Sequence, residues 1–335
     1  MRVNLLDCTL RDGAHVVGNG FPADLTVMMI RGLIDSNIKT IEFGNGYGIG
    51  GYEVANKIAP CTDEEYLNLV QPFIDKAEIG MFLNATRYMP KYVDLAAEKG
   101  LKFLRVGAEP GKKNISIPVI RDIKNHGMKS RYALMKAYLF SPKQLAEEAK
   151  ALQDAGLDGV TIMDSAGYMF PEDVKRYVNA LVEALDIPVG FHGHNNLGMS
   201  VANAVAAYET GASEIDCMLM GMARSAGNLP TENIVLVLKR LGELTDIDEY
   251  RLLDFIDQEL APAMKEHDYE AAISPIELIL GYAGAHSSFQ KSFRKIAEEH
   301  NVSTYELIVL TSMLNRRNPS EGQMNAIADY ISSRK

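Results

Sequence analysis

From Val3 to about Leu241, short apolar runs rich in β-branched residues alternate with longer stretches whose apolar positions recur every three or four residues. Period two or an unbroken apolar run marks a strand, and period 3.6 marks an amphipathic helix. The pattern predicts strands at 3–8, 40–43, 78–83, 102–106, 130–138, 159–164, 189–194 and 214–219. Each is followed by a helical stretch, the signature of βα units around a parallel sheet. Eight such pairs in about 240 residues favour a closed TIM (β/α)8 barrel over an open doubly wound sheet.

Helix starts are marked as well. Ser141-Pro142 precedes KQLAEEAKALQDAG, and Phe170-Pro171 precedes EDVKRYVNALVEAL, each setting proline in the first turn, where a missing N–H costs nothing. After Leu241 the strand pattern stops. The segments DEYRLLDFIDQELAPAM, the run opened by Ser274-Pro275, HSSFQKSFRKIAEEH and TYELIVLTSMLNRR all read as helices, the last with a capping box expected between Ser303 and Glu306. The expected α/β organisation is therefore a barrel over 1–241 and a C-terminal helical extension over 242–335.

Composition narrows the function classes. With 335 residues, 47% hydrophobic and 23% charged, the chain can bury a large core and is neither disordered nor fibrous. A net charge of −10 without a basic stripe argues against nucleic acid and anionic membranes as partners. Cys8, Cys61 and Cys217 are too few and too scattered for a disulfide framework or a cysteine zinc site. The N-terminal MRVNLLDCTLRDG lacks a signal-like apolar segment, and no run approaches a membrane span. A soluble cytoplasmic enzyme is expected.

The chemistry concentrates at predicted strand ends. His192 and His194 flank Gly193, and alternation along a strand points both imidazoles the same way. An isolated pair of this kind is more often structural, but these histidines end a barrel strand on the face where active sites of this fold lie. Strand 1 ends in Thr9-Leu10-Arg11-Asp12-Gly13-Ala14-His15, one strand away from strand 7 across strand 8. Asp12 can thus join the two histidines as a metal ligand. One carboxylate and two imidazoles suit Mn²⁺, Mg²⁺ or Co²⁺ at least as well as zinc. Asn228, after strand 8 in GNLPTE, sits where it can reach the metal or a ligated water. The glycines at 46–51 satisfy GxGxxG, but Pro60 interrupts the segment after them and no strand carries the required acid, so they read as a loop and not a dinucleotide site.

The combination of TLRDG, HGHNN and GNLPTE at three barrel-strand ends resembles the metal-dependent pyruvate-handling barrels, the HMGL-like or DRE-TIM metallolyases, and among them the 4-hydroxy-2-oxovalerate aldolases. His15 three residues after Asp12, LGYAGAHSSF at 280–289 and the terminal GQMNAIADYI carry the closer likeness, which spans nearly the whole chain. The resemblance implies metal binding by Asp12, His192 and His194 and chelation of a 2-oxo acid through its keto and carboxylate oxygens. It implies an enolate stabilised by Arg11 and a 4-hydroxyl proton taken by His15. It also implies an aldehyde as second substrate, an oligomer, and an acylating aldehyde dehydrogenase as partner.

The chain departs from those aldolases at several points. His286 stands where they carry a catalytic tyrosine, Asn45 and Tyr47 where they carry His and Asp, and Lys136 where they carry an apolar residue. Asn45, Tyr47, Lys136, Asp164 and Ser165 are expected to bind substrate, and His286 to act in catalysis. The changes fall on the aldehyde side. A Claisen-type lyase or synthase acting on an acyl-CoA thioester, and a catalytically silent barrel subunit, are the alternatives.

Overall fold

The structure is a computed structural model that describes residues Val3–Arg334. Eight parallel strands close into a barrel in sequence order: β1 Asn4–Asp7, β2 Thr40–Phe43, β3 Glu78–Asn84, β4 Phe103–Ala108, β5 Lys129–Leu134, β6 Gly159–Asp164, β7 Val189–Gly193 and β8 Glu214–Cys217. β1 pairs with β8 over Asn4↔Glu214 to Asp7↔Cys217, which completes the ring. Helices α1 Ala23–Asp35, α2 Asp63–Leu69, α3 Pro90–Glu98, α4 Lys113–Asn125, α5 Pro142–Asp154, α6 Pro171–Ala184, α7 Ser200–Glu209 and α8 Thr231–Arg240 alternate with the strands. Near-continuous burial of the strands comes from being covered on both faces, by helices outside and by the packed interior within.

The local signals form as their chemistry dictates. Ser141 and Gln144 make a reciprocal capping box at α5, and Pro171 opens α6 with the Asp173 carboxylate accepting from the Phe170 N–H. Strand 5 is shorter than its apolar run. It stops at Leu134 because Lys136 adopts φ 54°, a left-handed conformation that ends the pleat and starts a turn over Ala137–Leu139. Strand 7 likewise ends at Gly193, leaving His194 in an isolated bridge with Asn228.

Contacts divide the chain into two compact units, one ending at Ile234 and one running from Val235, with the division inside α8. The second unit holds α9 Glu249–Phe255, α10 Ala261–Lys265, α11 Pro275–Ala283, α12 Gln290–Glu299, α13 Thr304–Leu314 and α14 Glu321–Ser332. Its own core gathers Leu253, Ile279, Phe293, Leu307, Ile308, Met324 and Ala328. The sequence predicts one helix over DEYRLLDFIDQELAPAM; the structure inserts a π-helical turn at Ile256–Leu260. Pro262 explains it: proline lacks the N–H that would bond the Gln258 carbonyl, and widening the preceding turn relieves the clash. At α13 half of the expected capping box forms. Ser303 accepts from the Glu306 N–H, while the Glu306 carboxylate pairs with Arg334 Nη1 at 3.2 Å. Among the described residues no helix is long and apolar enough to cross a membrane.

Candidate active site and metal centre

A charged layer inside the barrel supports the site. Glu42 on β2, Arg105 on β4 and Asp216 on β8, all even-numbered strands, are fully or almost fully buried, as expected of side chains that share one layer of such a barrel. Arg105 donates through Nε to Glu42 at 2.6 Å and through Nη1 to Asp216 at 2.5 Å. Arg11 Nε donates to the same Glu42 at 2.5 Å, and Arg11 Nη1 to Asp12 at 2.8 Å. Burial alone would raise the carboxyl pKa values, but the two guanidiniums win. Arg105 holds Asp216 down at about 2, and Arg105 with Arg11 holds Glu42 below its usual range. Sequence reasoning missed all three of these layer residues. Their signal is there to read: a charged residue flanked by apolar ones inside a strand run, as in TIEF, FLRV and EIDC.

Above this layer, ligand atoms of Asp12, His192 and His194 lie within 4.8 Å of one another. Asp12 Oδ2 is 3.5 Å from His192 Nε2 and 3.9 Å from His194 Nε2. His192 donates its other nitrogen, Nδ1, to Asp216 at 2.9 Å, which fixes the tautomer that leaves Nε2 free as a ligand. Burial lowers the His194 pKa to about 4, helped by His192, so His194 is neutral near pH 7 as a ligand must be. Asp12, despite burial, is held well below the carboxylate range, chiefly by the Arg11 guanidinium.

Asn228 gives the test of whether a cation fits. Its Nδ2 lies 2.8 Å from Asp12 Oδ2 and 3.4 Å from His192 Nε2, and its buried Oδ1 has no partner. Amide orientation is set by environment; with a cation among these atoms, the carbonyl oxygen turned inward makes a fourth donor, and the orphan disappears. The donor set of one carboxylate, two imidazoles and an amide oxygen is that of a divalent-cation site.

A cavity of about 360 Å³ opens over the cluster, lined by Arg11, Asp12, Met135, Lys136, Met163, Ser165, His192, His194, Asn196, Arg224 and Ser225. Arg11 Nη2 is buried without a partner, a donor left for a ligand oxygen. His15 Nε2 is buried and unpartnered as well. Burial, with Arg224 nearby, pushes the His15 pKa down to about 4. The His15 ring meets Tyr47 edge-on at 5.1 Å, and Gly46 is required there, since a Cβ would come within 2.9 Å of His15 Cε1.

The other expected site residues divide. Ser165 and Lys136 line the cavity, with Ser165 Oγ accepting from the Lys136 N–H at 3.0 Å and Lys136 Nζ 2.5 Å from Glu109. Asn45 is buried and spends its side chain on the Lys57 carbonyl and the Tyr47 N–H, so it shapes the loop after β2. Asp164 spends both carboxylate oxygens on the N–H groups of Tyr168 and Met169, so it shapes the loop after β6. Neither lines the cavity. His286 lies in the second unit, exposed, with Nδ1 2.9 Å from Ser288 Oγ.

The HMGL-like family model matches residues 2–258. Relatives include the 4-hydroxy-2-oxovalerate aldolases of Carboxydothermus hydrogenoformans, 34% identical over 98% of this chain and 96% of that one, and of Moorella thermoacetica, 36% identical over 98% and 95%. Among solved structures, the N-terminal domain of a putative aldolase from Bacteroides vulgatus superposes with TM-score 0.67 at 23% identity, covering 80% of this chain and 89% of that one. The HMG-CoA lyase of Bacillus subtilis superposes with TM-score 0.65 at 16% identity, covering 81% and 95%. At those identities the superpositions speak for the barrel fold alone. Full-length identity above 30% speaks for more: the chain belongs to the HMGL-like family, alongside the 4-hydroxy-2-oxovalerate aldolases.

Proposed function

We propose that the protein is a divalent-metal-dependent carbon–carbon lyase that cleaves or forms a 4-hydroxy-2-oxo acid, with pyruvate and an aldehyde as the other side of the reaction. One observation carries the reading. In a chain alignable from end to end with 4-hydroxy-2-oxovalerate aldolases, a carboxylate–diimidazole cluster shares its cavity with an arginine whose Nη2 has no partner.

Asp12, His192 and His194 hold the cation, with the Asn228 amide oxygen as a further donor; Mn²⁺ is the first choice, and Mg²⁺ and Co²⁺ suit the same atoms. A divalent cation there supplies Lewis-acid polarisation of the 2-oxo group. Arg11 is the residue that acts on the developing enolate. Glu42 and Asp12 hold two of its nitrogens, so the free Nη2 is preorganised and needs no rearrangement when charge develops. His15, neutral at pH 7 and unpartnered at Nε2, takes the proton of the 4-hydroxyl as the C–C bond breaks and returns it in condensation. Ser165 and Lys136 bind substrate at the cavity wall. Met135 and Met163 give that wall an apolar face that limits water access.

The reading extends to a catalytic domain over 1–241 followed in sequence by a communication domain over 242–335. An acylating aldehyde dehydrogenase is then the partner, in a soluble assembly. LGYAGAHSSF is its sequence support, with His286 at the position of the aldolases' tyrosine. Incubation with Mn²⁺ and pyruvate in D₂O tests the core of the proposal. Exchange of the methyl protons is expected, and protein that leaves them unexchanged is not an aldolase of this kind. Thiol release from an acyl-CoA would favour the Claisen alternative.

A further inference from the structure

Arg224 in the cavity wall belongs to a group of three cations gathered on Tyr47 that the proposed aldolase reaction does not use. Arg224 lines the cavity and is exposed, and its guanidinium carbon lies 5.6 Å from the centre of the Tyr47 ring. Lys57 Nζ stands 4.9 Å from the same ring and the Arg87 guanidinium carbon 5.9 Å. Among the described residues no carboxylate lies within ion-pair distance of any of the three. Arg87 donates to the Tyr47 carbonyl, yet its buried Nε has no partner. The ring face attracts each cation and solvent screens their mutual repulsion, so the three together project a positive field with no protein counter-charge beside it.

The loop that presents Arg224 is fixed in place. Ser225 takes a left-handed φ of 61° and its hydroxyl accepts from Asn196 Nδ2 at 2.8 Å. Gly227 closes the turn at φ 80°, where a Cβ would lie 2.5 Å from the Gly221 carbonyl oxygen, and its own carbonyl accepts from the Asn195 N–H at 2.9 Å. The side chain therefore leaves a backbone clamped to the loop that follows β7, next to His194.

A charge count separates this group from the inner site. Arg11 and Arg105 face Glu42, Asp216 and Asp12, and a divalent cation then leaves one positive charge, which the carboxylate of pyruvate cancels. Lys136 is neutralised by Glu109. Arg224 remains as a surplus cation in the cavity wall, in a chain whose net charge is −10.

We propose that the aldehyde substrate carries an acidic group, carboxylate or phosphate, received by Arg224 at the cavity rim, with Lys57 and Arg87 extending the same field around Tyr47. This rests on the aldolase function proposed for the chain and names its second substrate by class. Arg224 is then a specificity-determining residue. The positive rim also favours encounter with an anionic aldehyde.

The test uses the full-length protein with Mn²⁺ and pyruvate, following pyruvate consumption with succinic semialdehyde, 3-phosphonooxypropanal and the uncharged 4-methylpentanal. Wild-type kcat/KM is expected to be about tenfold or more higher for at least one acidic aldehyde than for the uncharged one, as a charge-assisted bond predicts. The difference should lie mainly in KM, and the better of the two acids identifies the group. Arg224→Gln should cut the acidic-to-neutral ratio by about tenfold, and Arg224→Lys should restore part of it. A wild-type ratio at or below one, or a ratio that Arg224→Gln leaves unchanged, overturns the proposal. Methyl-proton exchange of pyruvate by the wild type, run without aldehyde, separates the two failures. Without exchange the aldolase reading falls and this inference with it; with exchange and no acidic preference, only this inference falls.

Discussion

His192 and Asp216 are joined by a 2.9 Å bond from imidazole Nδ1 to carboxylate Oδ2, and the same oxygen receives Arg105 Nη1 at 2.5 Å. The bond ties the buried barrel layer to the candidate metal site, because it dictates which nitrogen of His192 faces Asp12. Asp216→Asn presents an amide N–H that favours the opposite tautomer. Metal affinity is expected to fall about 10–100-fold, read by Mn²⁺ titration of the apoprotein. Unchanged affinity would show that the tautomer is set elsewhere.

Removing a metal ligand and removing the base should separate. His192→Ala is expected to lose metal and activity together. His15→Ala should keep the metal and slow C–C cleavage by about 10²–10⁴-fold, the range for a general base. Metal content measured beside turnover decides it, and full turnover in His15→Ala would reject its role.

Glu42 is the shared acceptor of two buried guanidiniums, Arg11 and Arg105. Glu42→Gln removes the carboxylate the two guanidiniums share, but Arg11 keeps Asp12 and Arg105 keeps Asp216, so the loss is expected to stay below the about 3–5 kcal/mol of a buried charge left with no partner. Chemical denaturation should show the loss. Methionine at 42 should be no milder, since both arginines remain buried.

Glu232 gives a pH signature away from the catalytic chemistry. Burial pushes its pKa from 4.5 up to about 7, although its carboxylate accepts from the Met220 N–H at 3.1 Å. Between those values the native state holds a proton that the unfolded chain has lost. That contribution is fully present below about 4.5 and is lost as pH rises through about 7. Gln mimics the protonated form, so Glu232→Gln should be nearly neutral at pH 4.5 and stabilising at pH 8, by up to about 3 kcal/mol. A stability difference independent of pH would contradict the burial cause.

Local patterning along the chain was enough to read the barrel, the helical nature of the C-terminal segment and the ends of β1, β7 and β8 where the chemistry gathers. Period-two and period-3.6 patterns are local, and the alternation that aims His192 and His194 the same way is a property of one strand. Proline and serine starts at α5, α6 and α11 are local too, and their effects stayed within a turn. Relationships between strands were not readable in that way. That Glu42, Arg105 and Asp216 share one layer depends on the register of closure, and each alone is an odd charge in an apolar run. Asn45 and Asp164 were expected to bind substrate, Asn45 because it stands where the resembling aldolases carry histidine. The folded chain turns both onto backbone groups of their own loops, since a buried polar side chain next to a turn finds an unpaired N–H or C=O first. Only tertiary structure put Arg224, Lys57 and Arg87 around one tyrosine, because three cations on three loops become neighbours only when the barrel brings its C-terminal ends to one rim.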